Sequence, residues 1–154
     1  MTIHKWHRPT FLLAAALTLL ACQNANTLTI RRTRDGQELH NYRLKSLTGI
    51  RDGDNLGTEL VIGDQSSALT MQMRFKIGVP TKLESGTYVW QQPGSPGTKG
   101  IVKADTVIFQ GGQDGPPALG GTFQLVVDNE VPLYQVKMPA TPIDVPGRPV
   151  TPSK

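Results

Sequence analysis

After Cys22 the chain carries a single histidine, His40, and no further cysteine, so few groups are available for acid–base or nucleophilic chemistry. A Ser–His–acid set would have to use His40. No serine sits in a nucleophile-elbow pattern: Gly94-Ser95-Pro96-Gly97 lacks the first glycine and the strand-to-helix turn. The run Arg51-Asp52-Gly53-Asp54-Asn55-Leu56-Gly57 alternates acids as a calcium loop does, but Leu56 and Gly63 stand where that loop needs an oxygen ligand and a Glu. One histidine is too few for an ordinary zinc site. The glycine-rich stretch 111–121 lacks the Gly-Lys-Ser/Thr ending of a phosphate cradle. These residues point to a protein without catalytic, metal-binding or cofactor-binding residues, with His40 as a plain strand residue.

The residue that carries chemistry is Cys22. Residues 1–10 hold Lys5 and Arg8 and no acid, and residues 11–20 (FLLAAALTLL) are apolar apart from Thr18. A short basic region, a brief apolar run and small Ala21 before Cys22 have the anatomy of a cleaved secretory signal. The apolar run is well short of the ~20 residues of a membrane-spanning helix. Leu19-Leu20-Ala21-Cys22 resembles the lipobox of bacterial lipoproteins. The resemblance covers residues 1–23 only. It implies that the Cys22 thiol receives a diacylglycerol group and that cleavage falls between Ala21 and Cys22. Among Gram-negative lipoproteins an Asp after the cysteine commonly signals inner-membrane retention. By that resemblance Gln23 favours the periplasmic face of the outer membrane.

Removing residues 1–21 from the 154 leaves 133, enough for one domain, and takes the net charge from +4 to +2 with the loss of Lys5 and Arg8. So small an excess gives no electrostatic case for nucleic acid. With Cys22 the sole cysteine, no intramolecular disulfide can form, and the core must be held by burial alone.

That core reads as β. From Ser67 to Ile77, Leu69, Met71, Met73, Phe75 and Ile77 alternate with Thr70, Gln72, Arg74 and Lys76. Strict period two describes an antiparallel strand with one face buried and one in water. Further strands are predicted at Thr27–Arg34 and Gln37–Lys45, around an Asp35-Gly36 hairpin signal, and at Thr58–Ile62. Others follow at Gly86–Gln91, Ile101–Gln110, Thr122–Asp128 and Leu133–Met138. Tyr88 and Trp90 fall on one face, as core or as the lining of a ligand cavity. Three of the loops between these strands stand out: Arg51–Gly57, Gln92–Gly100 and Gly111–Gly121. The last has five glycines and two prolines in eleven residues, a composition that argues against a central strand.

The organisation expected is therefore a signal peptide at 1–21, a lipidated tether at 22–26, a β domain at 27–138 and a proline-rich disordered tail at 139–154. The fold class is all-β, an antiparallel sandwich or related barrel of about eight strands. The tether is short, so the domain sits close to the bilayer. Arg31, Arg32 and Arg34 are either contacts for anionic head groups or solvated strand residues. The function expected is that of a non-catalytic envelope lipoprotein, membrane-bound through Cys22. It would act on a protein or envelope-polymer partner, as an inhibitor or immunity-type module would. The alternative is a small apolar-ligand carrier.

Overall fold

The alternation at 68–76 governs the architecture. Leu69, Met71, Met73 and Phe75 are buried, while Gln72, Arg74 and Lys76 face solvent. In a computed structural model, which describes residues 28–94, 96–111, 116–128 and 131–146, this segment is one of nine strands. In chain order they are β1 (Thr29–Arg32), β2 (Glu38–Leu39), β3 (Arg43–Asp52), β4 (Asn55–Gly63), β5 (Ala68–Lys76), β6 (Lys82–Gln91), β7 (Thr98–Gln110), β8 (Ala118–Val127) and β9 (Val131–Pro142). The signal sequence, Ala21 and Cys22 lie outside the described residues.

All nine strands join one antiparallel sheet in the order β2-β1-β9-β8-β7-β6-β5-β4-β3. From β3 to β9 it is a meander in which each strand pairs with the next, and β1 then adds to the far side of β9. The sheet curls into a half-barrel, because each strand presents its apolar residues to the same concave side. Leu60, Ile62, Leu69, Met71, Phe75, Leu119, Phe123, Leu125 and Val136 fill that side with no exposed surface. Each such side chain contributes about 1.5–3 kcal/mol of apolar burial. Phe75 meets Phe123 across the interior, edge to face at 6.4 Å.

The curl brings the free edge of β3 to the chain that follows β9. Asp144 N donates to Leu47 O at 2.9 Å, and Gly49 N donates to Asp144 O at 3.0 Å. Ile143, one residue earlier, is buried in the core. The domain therefore does not finish at Met138. Residues 139–142 belong to β9, Ile143 N donates to Pro117 O at 2.8 Å, and Asp144 bonds to β3. The prolines are accommodated because β1 begins at Thr29, opposite Lys137, leaving the far half of β9 with only β8 beside it. A missing N–H costs little on a free edge or at a bulge, and the β8–β9 register shifts between Leu119 and Gly121, opposite Pro139. Residues 147–154 lie outside the described residues.

Other expected boundaries also move. The loop at Arg51–Gly57 is only a two-residue turn, Gly53-Asp54, closed by the Asp52–Asn55 pair. Gly53 at φ +59° supplies the left-handed first position that a tight hairpin needs. The turn signalled by Asp35-Gly36 is longer than two residues, because β1 ends at Arg32 and β2 starts at Glu38. The strand expected at 37–45 breaks at Asn41, whose φ of 81° turns the chain between β2 and β3. His40 sits in that turn and not in a strand. The glycine-rich stretch does contribute to a central strand, since Ala118–Gly121 opens β8 between β7 and β9. Gly121 is required there: its φ is +142°, and a side chain would run into the backbone of Thr106, where the β7–β8 register shifts.

Candidate interaction surface

The curl leaves an outward face whose polar residues come from five consecutive strands, β3 to β7. Register places Thr48 opposite Glu59, Glu59 opposite Gln72, Gln72 opposite Thr87 and Thr87 opposite Ile101. Odd–even alternation then sends all five side chains to the outer side, since Met71 and Met73, the neighbours of Gln72, point inward. The adjacent row runs from Ile50 through Gly57 and Arg74 to Ser85. Gly57 has no side chain, so the two rows border an open groove of about 990 Å³ that crosses β3 to β7.

The chemistry of this groove is mixed. Gln72 Nε2 donates to Glu59 Oε2 at 3.1 Å, which fixes one pair across its floor. Arg74 and Lys103 supply positive charge, Glu59 and Glu84 negative, and Ile50 and Ile101 apolar surface. Ile50 is 68% exposed. Charges of both signs beside apolar patches suit a protein or polysaccharide contact and offer no phosphate-tracking stripe.

Tyr88 and Trp90 are core residues. Trp90 meets Tyr134 at 4.7 Å with the rings tilted by 58°, and Tyr42 edge to face at 5.6 Å. The Tyr42 and Ser67 hydroxyls share a hydrogen bond of 2.8 Å. Burial pushes the Tyr88 phenol above its usual range, with Tyr134 adding to the effect. The Tyr88 hydroxyl and Trp90 Nε1 are buried and find no partner among the described residues.

The residues weighed for chemistry are scattered. His40 is exposed in its turn, and Asp54 lies 4.0 Å from Lys76 on a different hairpin. Among the described residues no three His, Cys, Asp or Glu side chains converge. Ser95 lies outside the described residues. Arg31 pairs locally with Glu38 at 2.8 Å and Arg32 with Asp35 at 3.2 Å. The Arg31 guanidinium holds the Glu38 carboxyl below its usual range. Asp64, in the β4–β5 turn, accepts from the backbone amides of Ser66 and Ser67 at 2.7 Å each, and these bonds hold its carboxyl low. Gly63-Asp64, which closes the strand expected at Thr58–Ile62, opens this turn, and Asp-x-Ser-Ser after a glycine is a recognisable Asx-turn pattern.

No protein-family model, curated protein or solved structure matches the chain.

Proposed function

We propose that the chain is an envelope lipoprotein, anchored through Cys22, that acts by contact rather than by catalysis. The observation that carries the contact reading is the division of its two faces. The concave side is filled by large apolar side chains such as Met71, Phe75 and Phe123. The convex side offers an open groove with charged, polar and apolar residues in one place. A ligand carrier needs the opposite arrangement, an enclosed space behind the sheet. The finer fold reading is that the curl is of the barrel kind, closed by 143–144, rather than two stacked sheets. The anchor rests on the lipobox-like run Leu19-Leu20-Ala21-Cys22, and Gln23 supports the periplasmic face of the outer membrane as the site. The partner is a protein or an envelope polymer.

Site-specific crosslinking in intact cells tests the contact reading. A photoreactive residue at Gln72 or Lys103 is expected to give a discrete adduct that Arg74→Glu abolishes. A protein that forms no adduct from either position, and that instead yields a stoichiometric apolar molecule on solvent extraction, would be a carrier.

A further inference from the structure

The two ends of the half-barrel differ. Asn55 pairs with Lys76, Gln110 with Ala118 and Ala118 with Pro142, so turns 53–54 and 77–81 and segment 143–146 share one end. Ile77 N donates to Asp54 O at 2.7 Å and ties the first two together. Val79 projects from the 77–81 turn and is wholly exposed. The turn is braced from within, Thr81 Oγ1 donating to Gly78 O at 3.2 Å, and it is flanked by Lys82 and by Lys76, whose ammonium lies 4.0 Å from the Asp54 carboxylate. Nearby, Ile50, Phe109 and Val145 edge a second open groove of about 430 Å³. An apolar tip between two lysines has the composition of a bilayer-interface element, because lysine stems lie along acyl chains while their ammonium groups stay among head groups.

The course of the chain favours the same end. β1 runs away from it, with Thr29 opposite Lys137 and Arg32 opposite Tyr134. The chain therefore enters β1 from the side of Val79. Five residues separate Cys22 from Leu28, a reach of roughly 20 Å. From the level of Thr29, Pro142 is five residues on along β9, roughly 17 Å, so the tether just spans to this end. To bring the opposite end to the bilayer, with Arg34, Val131 and Leu133, the tether would have to double back along β1.

We propose that the end bearing Val79 rests on the lipid surface, with Val79 at the acyl boundary and Lys76 and Lys82 among the head groups. This rests on the lipid-anchor reading. It makes the anchor and the hairpin tip two contacts with one membrane, and it sets the outer groove of β3–β7 upright and open to the periplasm.

Because lipidation consumes the Cys22 thiol, an introduced cysteine can be labelled alone. The full lipidated chain carrying Val79→Cys or Gln65→Cys, each with an environment-sensitive fluorophore, is placed on phosphatidylethanolamine–phosphatidylglycerol vesicles containing nitroxide acyl chains. Gln65 lies at the opposite end, in the turn between β4 and β5. The label at 79 is expected to shift to the blue and lose intensity by quenching, and the label at 65 to do neither. Both labels in water, or only the label at 65 quenched, overturns the orientation. Mass and vesicle flotation of the same samples report the anchor separately. A lipidated, floating chain with an aqueous label at 79 overturns the orientation alone, and an unlipidated, non-floating chain overturns both readings.

Discussion

Gly49 and Ile143 compete for one space: a Cβ on Gly49 would stand 2.6 Å from Cγ2 of Ile143. The glycine lets the chain after β9 lie against β3, and Ile143 fills the gap it leaves. Gly49→Ala is therefore expected to destabilise the domain by about 1–3 kcal/mol through overpacking. Ile143→Ala should cost about 2–5 kcal/mol through a cavity. The double variant should cost less than the sum, since the new methyl occupies part of the void. Chemical denaturation of the four proteins measures this coupling, and strict additivity would mean that the two residues do not meet.

The β5 pattern makes a sharper contrast. Met73 is 3% exposed, and Asp in its place buries a carboxylate with no partner. Met73→Asp is expected to unfold the domain or lower its melting temperature severely. Gln72→Lys sits on the outer face opposite Glu59 and should leave melting nearly unchanged. Equal effects on circular-dichroism melts would contradict the facing of the strand.

The Tyr88 hydroxyl is buried and unpartnered among the described residues. Removing such a group relieves a desolvation cost without breaking a bond. Tyr88→Phe should therefore melt at the same temperature as wild type or higher. A clear drop would show that the hydroxyl holds a hydrogen bond in solution.

Asp64 gives a pH dependence. Its folded-state pKa is depressed, first by the Ser66 amide and then by the Ser67 amide. A depressed carboxyl adds stability that is fully present above its unfolded pKa and is lost as pH falls through the folded value. Asp64→Asn should accordingly melt below wild type at neutral pH, with the difference shrinking below the ordinary carboxylate range. A difference that stays constant down through that range would assign the effect to turn geometry instead of charge.

Particular residues show what could be read in advance. Leu69 to Phe75 announce their strand because period two is a local property and the buried face follows from it. The end of β9 was hidden, because Pro139 and Pro142 act as local breakers unless a bulge and a free edge receive them. Gly120 and Gly121 likewise read as loop, although their role is to let two neighbouring backbones approach β8. The choice of one curled sheet over a sandwich turns on the meeting of Gly49, Leu47 and Asp144, about a hundred residues apart in sequence, and no local pattern encodes it. The outer groove was invisible for the same reason: Glu59, Gln72, Thr87 and Ile101 become neighbours only through strand register.

Lipid labelling decides whether Cys22 carries the anchor. Cells expressing the full chain or Cys22→Ser are grown with radiolabelled palmitate, and the protein is isolated from membrane and soluble fractions. A chain anchored through Cys22 gives label on the wild-type protein in the membrane fraction, no label on Cys22→Ser, and release of the variant from membranes. Equal labelling of the two proteins, or an unlabelled wild type that is fully soluble, would contradict the anchor.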